Sequence, residues 1–110
     1  MQIDQRQVGD VMVVALSGRF DAQSAGDVEE QIKALTEGGP QNLLVNMAGV
    51  EYVSSAGLRV LLATAKRLGA QGGKLDLCGL ASNVWEVFEV AGFTTIFQIL
   101  PDEEAGLKSF

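Results

Sequence analysis

Asn42–Leu68 reads NLLVNMAGVEYVSSAGLRVLLATAKRL, and its periodicity changes once along its length. Asn42–Met47 is a short, nearly continuous apolar run, which predicts a strand buried on both faces. Leu58, Leu61, Leu62, Ala65 and Leu68 recur at i, i+3, i+4, i+7 and i+10, the stripe of an amphipathic helix. Lys66 and Arg67 stand in its last turns, where cations suit the helix dipole. Ala48–Val53 between them is read as a loop leading to Ser54-Ser55-Ala56-Gly57 at the helix start. Gly72-Gly73 ends the helix.

The same alternation extends in both directions. Upstream, Gln2–Val8 is a polar edge strand, Gly9-Asp10 a turn and Val11–Leu16 a second buried strand that Gly18 breaks. Asp21 or Ser24 caps the next helix, which carries Val28, Ile32 and Leu35 on one face and ends at Gly38-Gly39-Pro40. Downstream, Lys74–Cys78 is a short strand and Ser82 caps a helix with Val84, Val87, Phe88 and Ala91 on one face, ended by Gly92. Ile96–Leu100 is a last extended segment, and Pro101 with Asp102, Glu103 and Glu104 opens a short C-terminal helix. Strands alternating with helices predict an α/β fold: a mostly parallel central sheet with an N-terminal antiparallel strand pair, packed by about four helices.

Composition narrows the function. At 110 residues the chain suits one domain, residues 1–110, and 47% apolar with 20% charged residues is ordinary for a globular protein. No apolar run is long enough for a membrane span, and the polar, acidic N-terminus is no secretory signal. With the single Cys78, this predicts a cytoplasmic protein without disulfides and without membrane insertion. Histidine is absent, which removes Ser-His and Cys-His catalysis and histidine zinc sites; no metal or cofactor is expected. The net charge of −6 argues against direct nucleic-acid binding. Residues 52–75 nevertheless hold Arg59, Lys66, Arg67 and Lys74 and no acid, which reads either as a solvated basic helix face or as a strip that meets an anion or an acidic partner.

The chemistry gathers at Ser54-Ser55-Ala56-Gly57. Strand carboxyl ends are where α/β folds place sites, and a helix N-terminus offers unpaired amides and the positive end of a dipole. One serine serves as an N-cap. Gly57 costs helix stability, roughly 1 kcal/mol against alanine; it serves either close packing on a strand or a low surface beside Ser55. Arg59, one turn beyond Ser55, is either a solvated side chain or a ligand for a phosphate on Ser55. The motif is neither a P-loop nor a GxSxG elbow. The nearest lysine, Lys66, lies about 16 Å along the helix from Ser55, too far to act as its base. An enzyme is therefore not expected.

Tyr52-Val53-Ser54-Ser55-Ala56-Gly57-Leu58 after Asn42–Met47 resembles the signature of the STAS domains of anti-sigma factor antagonists. Ser17-Gly18-Arg19-Phe20-Asp21 is similar to that family's second landmark, and Gly79-Leu80-Ala81 through Val87-Phe88 to Ala91-Gly92-Phe93 to its later strand, turn and helix. The resemblance covers nearly all of the chain. It implies a non-enzymatic switch: the unphosphorylated form binds an anti-sigma factor that is also a serine kinase and so frees the sigma factor, phosphorylation ends binding, and a serine phosphatase resets it. By position it implies phosphorylation at Ser55, with Ser54 as alternative, and a partner surface of Asp21, Tyr52, Ser54, Ser55, Ala56, Gly57, Leu58 and Arg59. Many members have Asp where this chain has Ser54. It also implies that Asp21 lies near Ser55 across adjacent strand ends.

Two other functions fit the same sequence, a STAS subunit of an ABC-type phospholipid transport system docking on its ATPase, and a small nucleotide-binding domain. Trp85 falls off its helix stripe and reads as core edge or as an exposed partner anchor. Cys78, Phe93 and Phe97 read as core. The polarity of Gln2–Val8 suits a monomer.

Overall fold

The computed structural model describes residues 1–39 and 42–110. Five strands, β1 (Gln2–Val8), β2 (Val11–Phe20), β3 (Asn42–Val53), β4 (Lys74–Cys78) and β5 (Ile99–Leu100), form one sheet in the order β1-β2-β3-β4-β5. β1 runs antiparallel to β2, and the remaining pairs are parallel. The helices are α1 (Ala25–Thr36), α2 (Ser55–Ala70), α3 (Ser82–Val90) and α4 (Glu103–Lys108).

The two apolar runs are central strands covered on both faces. Met12, Val14 and Leu16 of β2, with Leu43, Val45 and Met47 of β3, face the larger core, where Val28 and Ile32 of α1, Leu61 and Leu68 of α2, and Val84 and Phe88 of α3 meet them. Val11, Val13, Leu44 and Cys78 face the other way, against Leu107 and Phe110 at the C-terminus. A strand with helices on both sides needs no polar alternation, which is why these runs read as continuous.

Several expected boundaries move. β2 does not stop at Leu16 but passes through Gly18, which takes φ +108°, and runs on to Phe20. The expected loop Ala48–Val53 is strand: it pairs with Ser17–Phe20, and two bulges that add a residue to β3 adjust its register. Ser24 precedes α1, but its hydroxyl accepts from the Asp21 amide and donates to the Arg19 carbonyl instead of capping the helix. Asp21 accepts from the Gln23 amide, a local Asx turn, and caps nothing. Ser82 is the first residue of α3 rather than its cap. Ala91 is exposed, so the buried stripe of α3 is Val84 and Phe88 with Val87 half-buried. Of Ile96–Leu100 only Ile99 and Leu100 pair as strand, after a 3-10 turn at Phe93–Thr95. α1 ends at Thr36 ahead of Gly38 and Gly39, while Pro40 lies outside the described residues.

α4 closes the second face with polar contacts. Asp102 caps it by accepting from the Ala105 amide at 2.9 Å. Glu103 accepts from Arg6 at 2.5 Å and from Asn46 at 2.7 Å. At its other end the Ser109 hydroxyl donates to Asp76 at 2.6 Å, and Lys74 Nζ stands 3.3 Å from the same carboxylate.

Candidate functional site

β2 and β3 outrun their neighbours. β1 last pairs at Gln2↔Ser17 and β4 at Cys78↔Asn46, so the ends of β2 and β3 pair only with each other. Side chains cap their open edges: Asn83 of α3 donates to the Glu51 carbonyl at 2.9 Å, and Ser24 donates to the Arg19 carbonyl at 2.8 Å. The Ser54 amide then bonds the Phe20 carbonyl at 2.9 Å, and α2 starts at the next residue. This juxtaposes Asp21 and the Ser54-Ser55 pair at adjoining strand ends.

The two serines have opposite surroundings. Ser54 occupies the N-cap position with extended backbone, yet its hydroxyl makes no cap bond and is buried without a hydrogen-bond partner among the described residues. Ser55 is exposed. The first bond within α2 is donated by Leu58 to the Ser54 carbonyl at 3.0 Å, so the amides of Ser55, Ala56 and Gly57 lie ahead of it. No acidic side chain stands in the first turn of α2. The positive end of the dipole there has no acid within its own first turn, which favours an added negative group, although Glu86 of α3 lines the same cleft as Ser55.

Gly57 serves packing. A Cβ on it would lie 2.8 Å from the Phe20 carbonyl oxygen and 3.1 Å from a Val53 methyl, so only glycine lets α2 sit this close to the strand ends. It is buried, as is Leu58, while Ala56 and Asp21 are half-buried. Arg59 is exposed, one turn from Ser55. The basic segment is not one strip: Lys74 belongs to the α4 contacts, and Arg67 faces Lys33, Thr36 and Glu37 at the far end of α2.

Sequence reasoning missed two features. Arg19, register partner of Tyr52, lies 4.4 Å from the centre of the Tyr52 ring and 3.5 Å from Asp21 Oδ2, joining two expected site residues in one exposed group. Beside Ser55, Leu58, Asn83, Glu86, Val87 and Val90 line an open, largely apolar cleft of about 440 Å³ between α2 and α3. Val90 is 89% exposed and Trp85 38%. The available signal for the cleft was an apolar residue, Val90, off the buried stripe of its helix. No helix among the described residues is long and apolar enough to cross a membrane.

The model of the STAS domain family matches residues 2–106. BtrV of Bordetella bronchiseptica, named as a candidate anti-sigma factor antagonist, is 33% identical over 110 residues, covering 100% of this chain and 95% of that one. The anti-sigma-B factor antagonist of Bacillus subtilis is 30% identical over 108 residues, 98% of each chain. The fold also matches SpoIIAA, an anti-sigma factor antagonist solved in its unphosphorylated form, with a TM-score of 0.82 at 19% identity over 99% of this chain and 98% of that one. SpoIIAA of Bacillus in the phosphorylated form gives a TM-score of 0.75 at 20% identity over 99% and 100%. With its strand order, its bulged β2–β3 pair and its serine-bearing helix start, the chain belongs to the STAS domain family.

Proposed function

We propose that this protein is an anti-sigma factor antagonist switched at Ser55. With a free Ser55 hydroxyl it docks on an anti-sigma factor that is also a serine kinase, releasing the sigma factor. The kinase transfers a phosphoryl group to Ser55 Oγ, docking ends, and a serine phosphatase restores the hydroxyl. The names of the two curated relatives support the antagonist role. The observation that carries the switch is the placement of an exposed serine at the start of a helix with no acid in its first turn, on the rim of a largely apolar cleft.

A phosphate adds about −1.5 to −2 charges at neutral pH. At the start of α2 the dipole and free amides offset that charge, so the domain stays folded. Within a docked interface the same charge must be desolvated, and the complex breaks. Ser54 is the poorer acceptor because its hydroxyl is buried. Docking would use exposed Tyr52, Ser55 and Arg59, half-buried Asp21 and Ala56, and the cleft wall at Leu58.

The test is a paired capture from source cells with Ser55→Ala and Ser55→Asp as baits, each first shown to melt like the wild type. Ser55→Ala should retain an ATP-dependent kinase that Ser55→Asp loses by tenfold or more. Equal retention of one partner, such as a transport ATPase, by both baits would sink the switch.

A further inference from the structure

Among the described residues β1 is an edge of the sheet, with β2 on one side and no strand on the other. Natural edges are blunted by charged side chains, lysine above all, by proline, by a bulge or by extreme shortness. β1 has no lysine, proline or bulge, and its two charges, Asp4 and Arg6, are of opposite sign. It is seven residues, QIDQRQV, in unbroken register with β2 from Gln2↔Ser17 to Val8↔Val11, and all but Ile3 are exposed.

The hairpin fixes which backbone groups are free. Gly9-Asp10 is a two-residue turn with Gly9 at φ +61°, so Val8 and Val11 close it as a hydrogen-bonded pair. Alternation along an antiparallel ladder then turns the N–H and C=O of Gln2, Asp4, Arg6 and Val8 toward β2, and those of Ile3, Gln5 and Gln7 outward.

We propose that β1 pairs antiparallel with β1 of a second copy of this chain, about a two-fold axis through Gln5. In that register the whole strand is used. Gln5 bonds the second copy's Gln5 and Ile3 bonds its Gln7, for roughly six backbone hydrogen bonds. Asp4 falls opposite the second copy's Arg6, and Arg6 opposite its Asp4, at non-hydrogen-bonded positions where cross-strand side chains come closest. Moving the axis by one residue keeps the outward groups mated but sets Asp4 against Asp4 or Arg6 against Arg6. The charges therefore select one register. Arg6 already holds Glu103 through one terminal nitrogen, and a guanidinium's five donors leave capacity for a second carboxylate. The polarity of β1, which alone suits a monomer, is complementary to itself. Because Ser55 follows central β3, the pairing leaves both copies of it uncovered and presents two junctions per particle, which would raise avidity for a multivalent partner.

The experiment is solution mass by sedimentation across the micromolar to millimolar range. The wild type should rise from 11.7 kDa toward twice that mass. Asp4→Arg and Arg6→Asp each place like charges across the axis and should raise the midpoint concentration tenfold or more. Mixing them should restore association, because the mixed pair is attractive at both positions. Gln5→Pro removes an outward N–H without touching the bonds to β2 and should stay at monomer mass with a near-wild-type melt. The proposal is overturned by a wild type that stays at monomer mass throughout, by single reversals that associate like the wild type, by a mixture that associates no better than its components, or by folded Gln5→Pro that still dimerises.

Discussion

On one face of the sheet α1, α2 and α3 cover Met12, Val14, Leu16, Leu43, Val45 and Met47 with aliphatic side chains and Phe88. On the other, a six-residue helix covers Val11, Val13, Leu44 and Cys78. The first face is held by apolar area and close packing, which do not depend on pH. The second is held at both ends by polar groups, Arg6–Glu103–Asn46 and Lys74–Asp76–Ser109, because a helix this short does not persist on its own. The two sheet faces therefore differ in which perturbations reach them. The Ser55 junction sits on the robust one, where the phosphorylation proposed for it would alter docking without loosening the fold.

The largest effect should come from the first face. Leu61→Ala removes a fully buried side chain between α2 and the sheet, and should cost about 3–4 kcal/mol, a fall in Tm of roughly 15 °C. Chemical unfolding should remain a single transition. A loss under about 1 kcal/mol would break the contrast, since it would mean that this core collapses freely around the gap.

Gly106→Ala tests the second face. The added Cβ would stand 2.7–2.8 Å from the Leu44 methyls, and overpacking of this kind costs about 1–3 kcal/mol, offset by roughly 1 kcal/mol of helix propensity. The net global loss should be about 1 kcal/mol, well below that of Leu61→Ala. Locally the effect should be larger. Cys78 is buried under the C-terminal residues, and burial, then the charges of Glu103 and Asp102, push its thiol up to about 11. Labelling of Cys78 reports opening of α4. Gly106→Ala should speed labelling by more than its global destabilisation accounts for, whereas Leu61→Ala should not. Proportional changes in both variants would show that the faces open as one unit.

How much of this was legible in the sequence follows the same division. β1 and β4 appear at the expected residues, and α2 carries its buried stripe, because each is specified by a local period. The extension of β3 through Ala48–Val53 was not read from the sequence: Ala48, Val50 and Tyr52 alternate only briefly, the bulged segment buries Val50 and Val53 instead, and it becomes strand by pairing with the distant Ser17–Phe20. The helix caps failed for a related reason: Asp21, Ser24 and Ser82 have the right chemistry for a cap, but neighbouring turns use their oxygens or shift the helix start. At the site, the exposure of Ser55 and the turn spacing to Arg59 follow from helix position. The Arg19–Tyr52 stack depends on strand register. The cleft depends on how α3 lies against α2, which no local pattern encodes.

The smallest predicted effect isolates the acid sensitivity of the second face. The Glu103 carboxyl lies below its usual value because it accepts hydrogen bonds from Arg6 and then from Asn46, with the Arg6 charge adding to both. A carboxylate whose folded pKa is depressed contributes stability that is present above the unfolded value, near 4.5, and fades as pH falls through the folded one. Glu103→Gln keeps an acceptor for Asn46 but has no charge to lose. At pH 7 it should be less stable than the wild type by under about 1 kcal/mol, because Arg6 is largely exposed. Urea titrations repeated down to pH 3 should show that gap closing below about pH 4.5. The same substitution removes one of the charges that raise the Cys78 thiol, so labelling at alkaline pH should begin slightly earlier. A gap that stays constant with pH would mean that Glu103 fastens α4 through geometry alone. The second face would then be no more acid-sensitive than the first, and the distinction between them would reduce to the length of the covering helix.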